Sequence, residues 1–447
     1  MEMNFKFFCI LIIIINLLNL YYSKDIFEDY YQKADKILSS MSKNEKIGQL
    51  FLARYSLNTV DYQIQKYFPA GFVLFAQNLV NHTEAGLIKE LNQRQNISKI
   101  PLAFGVDEEG GTVCRVSLYF RNESFPSPRD SYLKGGIEEI LSIEQEKRNL
   151  LKKLKLHYNF APVADISTNS SDYIYKRTLG ENASLTSEYI NSVVDSYNND
   201  NFTCCLKHFP GYGNNRNTHD DISHDYRPID YLKENDLVPF VNAIKHNVPM
   251  IMVSHNIVVN IDDEYPASIS KKVHDLLRND YGYTGLIVTD SLSMGAITKY
   301  TKNISPAVLA ILAGNDIIVT STFEKHIEEL INAVNNNEVD MGLIEKAAKR
   351  VIAWKLKYIY EQEKNEDIET NPNSNPNANP NSNPNSSSNS NNSNVILFII
   401  IGFAIIAVIV IFVVFWKYKC NNNDPTKDIS KNIRDDFNPL TADSKTD

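Results

Sequence analysis

Cysteine is scarce in this chain, with five residues in 447. Cys9 falls in a first apolar run and Cys420 follows a last one, leaving Cys114, Cys204 and Cys205 between them. An odd, sparse set excludes a disulfide framework. Adjacent Cys204 and Cys205 lie in a predicted strand, where such residues act as small core side chains. A basic stripe is also missing, and the net charge is −9, which excludes a nucleic-acid partner. There is no Gly-x-Gly-x-x-Gly turn to hold a dinucleotide. His219 and His224 stand among Asp220, Asp221 and Asp225, yet none of the standard zinc spacings occurs. Neither a metal nor a cofactor is expected.

Three stretches of the chain cannot belong to a packed core. Residues 1–23 carry Lys6 and then an unbroken apolar run from Phe7 to Ile15, which reads as a secretory signal peptide. The alternative is an uncleaved anchor, since Tyr21-Tyr22-Ser23 is a poor cleavage site. Residues 365–394 end in an Asn-Pro-Asn-Ser run that no large apolar residue can pack, so they read as an extended stalk. Residues 395–416 contain no charge, and about 22 residues at roughly 1.5 Å each span a ~30 Å hydrocarbon core. Lys417 and Lys419 follow at once, which places the tail, residues 417–447, in the cytoplasm and predicts a single-pass type I membrane protein. Its body would lie outside the cell or in an endomembrane lumen. Cys420 is either a palmitoylation site or an idle juxtamembrane thiol.

Residues 25–364 remain, a length normal for an α/β barrel. Short apolar runs recur there: Ile47–Ala53, Gly71–Phe75, Leu102–Val106, Asn159–Val163, Thr203–Leu206, Met250–Val253, Leu286–Val288 and Asp316–Val319. Stretches between them, such as Leu185–Asn198 and Tyr231–His246, have helical spacing. Strands alternating with helices imply parallel β/α units, and eight of them predict a (β/α)8 barrel of TIM type. An open doubly wound sheet is the competing architecture. Seven Asn-x-Ser/Thr sites fall in the same region (Asn81, Asn96, Asn122, Asn169, Asn182, Asn201 and Asn303) and read as glycan acceptors on surface loops.

Charged and imidazole residues cluster just after the apolar runs. Val106 leads to Asp107-Glu108-Glu109-Gly110-Gly111, Val163 to Asp165, and Leu206 to Lys207-His208-Phe209-Pro210-Gly211. Val253 leads to Ser254-His255-Asn256 and Val288 to Thr289-Asp290-Ser291. One such motif alone is most simply a helix cap. All strand ends of a barrel meet on one face, however, so five motifs converge on one cleft. A cleft with Asp, Lys, His and Arg and no metal cage suits a polyol such as a sugar. Glycosidases need a carboxylate nucleophile and a separate acid, a role open to histidine.

Together with Lys46-Ile47-Gly48-Gln49-Leu50, Arg115, Asn159-Phe160-Ala161-Pro162-Val163-Ala164-Asp165, Arg177-Thr178-Leu179-Gly180 and Tyr212-Gly213, the motifs follow a known order. From about Lys46 to Ala353 the sequence resembles glycoside hydrolase family 3, in particular its single-domain β-N-acetylglucosaminidase branch. The resemblance implies that Asp290 is the nucleophile of a retaining reaction. It also implies that Asp107, Arg115, Arg177, Lys207 and His208 bind the sugar. Asp107 would accept from ring hydroxyls, Lys207 and His208 would donate, and the arginines would contact sugar or hold Asp107 by ion pairs.

One departure stands out. That branch carries Asp-Ser/Thr-His after the Lys-His-Phe-Pro-Gly motif, and its Asp–His dyad is the acid/base. Here the residues are Asn217-Thr218-His219. An amide can orient His219 but cannot stabilise an imidazolium as an anion does. Either Asp220 or Asp221 replaces the lost carboxylate, or the loop is shifted in register, or the enzyme is slow. The resemblance implies removal of terminal β-N-acetylglucosamine from glycans or peptidoglycan fragments. The alternatives are a β-glucosidase or phosphorylase-like member, and a weakly active sugar-binding surface protein.

Overall fold

The computed structural model describes residues 25–360 apart from Glu181 and Asn303. The signal segment, stalk, apolar span and tail inferred above lie outside the described residues. Among the described residues, no helix is long and apolar enough to cross a membrane.

Eight short parallel strands run in chain order: β1 (Phe51–Arg54), β2 (Gly71–Val73), β3 (Ala103–Val106), β4 (Tyr158–Asn159), β5 (Thr203–Phe209), β6 (Met250–Val253), β7 (Leu286–Thr289) and β8 (Ile318–Thr320). Their hydrogen-bonded order is β8-β1-β2-β3-β4-β5-β6-β7. A parallel bridge between Val288 and Ile317 joins the two ends of that row. The sheet is therefore a β/α barrel and not an open doubly wound sheet. The strands are buried along nearly their whole length because the barrel interior covers one face and the helices the other. Cys204 and Cys205 are buried in β5 and Cys114 is buried too, all three as free thiols.

Helices start where local chemistry satisfies their first amides. Ser42 and Glu45 form a capping box at Lys43–Gly48, and Ser127, Asn182, Ser305 and Asp340 cap later helices through their side-chain oxygens. That first cap corrects one expected boundary. Ile47 and Gly48, read as the start of a strand, end a helix, and β1 begins only at Phe51. The stretch Tyr231–His246, read as helical, is covered by two helices, Ile229–Glu234 and Val238–Lys245. Pro239, in the first turn of the second, has no N–H to continue a ladder from the first. Of the sequon asparagines, Asn96 lies in the last turns of the helix Glu84–Ile97 and not on a loop.

At the N-terminal end of the barrel the core is closed by the helix Met341–Lys355. Its Trp354 is fully buried and donates to Thr203 Oγ1 at 2.9 Å. Its Lys355 donates to Gln49 Oε1 and to the Pro101 carbonyl, both at 2.7 Å. These contacts stabilise this end of the barrel. The opposite end, where the strands finish, gathers the polar motifs.

Candidate active site

The C-terminal face holds a cavity of about 330 Å³ lined by Asp107, Arg115, Arg177, Lys207, His208, His219 and Asp290. Tyr173, Phe160 and Met294 complete much of its wall. Seven of the eight residues singled out in the sequence thus share one pocket. The eighth, Asn217, stands behind His219.

The loop after β3 is shaped by Glu108. Its buried carboxylate accepts from the Arg115 amide at 2.7 Å and the Val116 amide at 2.6 Å, and also from Ser117 Oγ. Gly110 and Gly111 follow at φ +96° and +61°, a region L side chains rarely adopt. A Cβ at Gly110 would come within 2.2 Å of the Pro126 carbonyl. This fold-back leaves Asp107 and Glu109 on either side of Lys207. The Lys207 Nζ lies 2.7 Å from Asp107 Oδ1 and 2.6 Å from Glu109 Oε1. Arg177 grips Glu109 with two hydrogen bonds, 2.9 Å from Nε and 2.8 Å from a terminal nitrogen. Burial alone would raise the Glu109 carboxyl, but Arg177 and Lys207 hold it well below the usual carboxylate range. Burial would likewise lower Lys207, yet Asp107 and Glu109 keep its ammonium charged to higher pH than usual.

These contacts correct two expectations. Asp107 is held by Lys207, not by an arginine. Arg177 holds Glu109 instead, and Arg115 donates to the Cys114 carbonyl at 3.1 Å. His208 was expected to donate to a sugar hydroxyl. Its Nδ1 donates to Asp165 Oδ2 at 2.7 Å and its Nε2 accepts from Arg177 at 3.3 Å, so both nitrogens are engaged by protein. Asp165 also accepts from the Tyr212 amide at 2.7 Å, which fixes the turn after β5.

Asp290 directly follows β7 and is half-buried. One carboxylate oxygen accepts from the Ser291 amide at 2.7 Å. The other has no hydrogen bond among the described residues. Burial pushes this carboxyl up; the imidazoles of His255, His208 and His219 and the Ser291 amide outweigh it and bring it below the ordinary value. His255, from the Ser-His-Asn motif after β6, braces the turn. Its Nε2 donates to the Ser291 carbonyl at 2.9 Å and its Nδ1 accepts from Ser268 Oγ at 2.7 Å. Burial lowers its pKa.

His219 sits on the loop between β5 and a short parallel pair, His224–Asp225 with Ile257–Val258. Its Nδ1 donates to Asn217 Oδ1 at 2.8 Å. The Asn217 amide nitrogen donates in turn to Asp220 Oδ2 at 2.8 Å. Asp221 is turned away, 3.2 Å from Lys299. Asp225 is gripped by Arg227 at 2.6 Å. The acidic residues around His219 and His224 therefore each have a separate protein partner, and among the described residues no group of three His, Cys, Asp or Glu is placed to hold a metal ion.

Glu109, Tyr173 and His255 were not foreseen as site residues. Glu109 and His255 lay inside motifs already noted, but Tyr173 carries no pattern. It approaches from the loop after β4, with its hydroxyl 3.4 Å from His219 Nδ1.

The family model for the glycosyl hydrolase family 3 N terminal domain matches residues 42–354, and the chain belongs to that family. It is 27% identical over 327 residues to beta-hexosaminidase A of Pseudoalteromonas piscicida, covering 66% of this chain and 54% of that protein. It is 28% identical over 266 residues to a beta-hexosaminidase of Mycobacterium tuberculosis, covering 57% of this chain and 68% of the relative. The chain thus spans only about half the length of the first of these relatives. Among solved structures it resembles a family 3 beta-N-acetylglucosaminidase from a Paenibacillus species, with a TM-score of 0.68 and 27% identity over 71% of this chain and 63% of that one. A family 3 glycosyl hydrolase from Mycobacterium smegmatis superposes with a TM-score of 0.63 and 26% identity, over 71% of this chain and 98% of the other.

Proposed function

We propose that this protein is a retaining β-N-acetylhexosaminidase that removes terminal N-acetylglucosamine. The observation that carries this reading is the pocket itself: a carboxylate with one unengaged oxygen, an imidazole oriented by a neighbour, and a charged lattice beside both. Family membership and the hexosaminidase names of the relatives support it. In the first step an Asp290 oxygen attacks the anomeric carbon and the glycosidic C–O bond breaks. The leaving oxygen takes a proton from His219 Nε2. In the second step water attacks the anomeric carbon, His219 takes the water's proton, the bond from that carbon to the Asp290 oxygen breaks, and the free sugar departs, leaving Asp290 a carboxylate. Asp107, Lys207 and Arg177 grip ring hydroxyls, with Arg115 at the rim and His208 steadying Arg177.

Turnover of an aryl β-N-acetylglucosaminide by the folded chain, set against the matching aryl β-glucoside, tests this directly. Faster release from the glucoside would shift the assignment to a β-glucosidase. The neutral Asn217 beside His219 favours one second reading, a sugar-binding surface protein of low activity. Binding of N-acetylglucosamine with no turnover of either substrate would establish that one.

The proposal extends to topology: signal 1–23, barrel 25–364 outside the cytoplasm, stalk 365–394, span 395–416 and cytoplasmic tail 417–447. It is supported by the apolar runs and the lysines that follow the second one. Protease added to intact cells or vesicles should release the barrel by cutting in the stalk. A protected barrel and a cleaved tail would reverse the orientation.

A further inference from the structure

We propose that Arg227 positions the acid/base His219 by closing the base of the loop that carries it, with Asp225 and Asp236 as its two anchors. This rests on the glycosidase reading above. The loop follows β5, and His219 stands near its middle. Apolar packing does little to fix its shape. Between Asn214 and Ile222 only Asn215 and Thr218 are buried, and neither is a large apolar residue. Hydrogen bonds must hold the loop instead.

The Arg227 guanidinium supplies the tie. Its Nε donates to Asp225 Oδ1 at 2.9 Å and one terminal nitrogen donates to Asp225 Oδ2 at 2.6 Å. The same terminal nitrogen donates to the Gly211 carbonyl at 3.2 Å. The other donates to Asp236 Oδ1 at 2.7 Å. Gly211 begins the loop and Asp225 lies at its far end. Asp236 lies beyond it, between the helices Ile229–Glu234 and Val238–Lys245. One planar group therefore joins both ends of the loop to the helical layer, a geometry that the point charge of a lysine cannot reproduce. Gly213 leaves room for it. Its φ is +53°, and a Cβ there would stand 2.2 Å from Arg227 Nη1.

The tie reaches His219 through buried side chains. Asn215 Nδ2 donates to Asp225 Oδ2 at 3.0 Å and to the Tyr212 carbonyl at 2.7 Å. The Tyr212 hydroxyl donates to the Arg216 carbonyl at 3.0 Å and accepts from the Thr218 amide at 2.9 Å. Thr218 directly precedes His219. Asp225, Asn215, Tyr212 and Thr218 are all buried, so a broken link leaves an unpaired polar group inside the loop. Arg227 does not line the pocket, and its effect on the reaction passes through His219.

The test separates a misplaced acid from a damaged pocket. A phenyl β-N-acetylglucosaminide needs its leaving oxygen protonated, whereas the 2,4-dinitrophenyl substrate releases a stable phenolate without help. Arg227→Lys should lower kcat/KM on the phenyl substrate about tenfold or more and on the dinitrophenyl substrate by about twofold at most, since misplacing a catalytic group by about 1 Å costs up to roughly a hundredfold. Asp236→Leu keeps the Arg227–Asp225 pair and nearly the side-chain volume. It should show the same split, and it decides the matter if Arg227→Lys fails to fold. Equal losses on the two substrates, or none, would overturn the proposal. If the wild-type chain turns over neither substrate, the glycosidase reading fails, and the tie is judged by amide hydrogen exchange of residues 212–226. Faster exchange there in the variant, with β6 and β7 unchanged, supports the tie; exchange identical to wild type removes it.

Discussion

Asn217 Oδ1 accepts a 2.8 Å hydrogen bond from His219 Nδ1, in the position where a carboxylate would serve as partner to the imidazole. Because a carboxamide oxygen only accepts, His219 must carry its Nδ1 proton, which leaves Nε2 to exchange protons with substrate. The amide's other end donates to Asp220, so a negative charge does stand behind the pair, one residue removed. Neither expected rescue occurs in its simple form: Asp220 does not contact the ring, and Asp221 pairs with Lys299.

This arrangement makes a graded prediction about kcat. A charge-assisted hydrogen bond is worth roughly 1.5–3 kcal/mol, or about ten- to a hundredfold in rate if all of it is felt in the transition state. Asn217→Asp alone should fall short of that, because the new carboxylate meets Asp220 at hydrogen-bond distance. Two carboxylates so close share a proton, which raises the pKa of the pair and confines the gain to higher pH. The exchange Asn217→Asp with Asp220→Asn removes the conflict and should give the full increase. His219→Ala should cancel it. Steady-state kcat across pH measures all four, and a swap variant no faster than wild type would remove His219 from the acid/base role.

Asp290→Asn should lower turnover by a factor on the order of a thousand or more, as removal of a nucleophile does. The Ser291 amide keeps its acceptor and the side-chain volume hardly changes. Thermal unfolding should therefore shift by no more than about 4 °C. Near-normal turnover at an unchanged melting temperature would show that Asp290 is not the nucleophile.

Glu109 ties the pocket together, so its loss should cost both fold and activity. Glu109→Gln leaves Lys207 and Arg177 buried with one counter-charge fewer, at a cost of about 3–5 kcal/mol. The pH sign follows from its lowered pKa. The unfolded chain's glutamate titrates near about 4.3, so the Glu109 contribution is fully present above that pH and is lost as pH falls toward the lower folded value. Wild type should lose stability steeply below about pH 4, and Glu109→Gln should lose less over the same range. Circular dichroism melts from pH 7 to pH 3 decide this, and parallel curves would contradict it.

Gly295 opens the helix Gly295–Thr301, and its amide donates to the His219 carbonyl at 3.0 Å. A Cβ there would lie 2.6 Å from that carbonyl oxygen and 2.9 Å from that of Asp220. Gly295→Ala should push the His219 loop away while the helix gains up to ~1 kcal/mol of propensity. Misplacing a catalytic group by about 1 Å costs up to roughly a hundredfold, so kcat should drop well over tenfold with the melting temperature held or raised. Unchanged kcat would mean that the loop does not need this seat.

The sequence by itself determined the barrel and the neighbourhood of its site. Apolar runs such as Met250–Val253 are local signals, and a strand buried on both faces shows its whole length as hydrophobic residues. Helix caps such as Ser42 are equally local, although that same cap moved the start of β1 from Ile47 to Phe51. Polar residues at strand ends share a face because ring closure leaves them nowhere else, which is why Asp107, Lys207 and Asp290 could be named together in advance. Only the tertiary structure decided the pairings. Lys207 bridges Asp107 and Glu109 across about a hundred residues of chain, Arg177 takes Glu109 and not Asp107, and His208 turns both nitrogens toward protein. Such choices depend on sub-ångström differences in distance among several charged groups buried together, where each strong pair excludes another. Tyr173 and Gly295 were invisible for a related reason: each acts on His219 from a distant segment, through a contact that exists only once the barrel has closed.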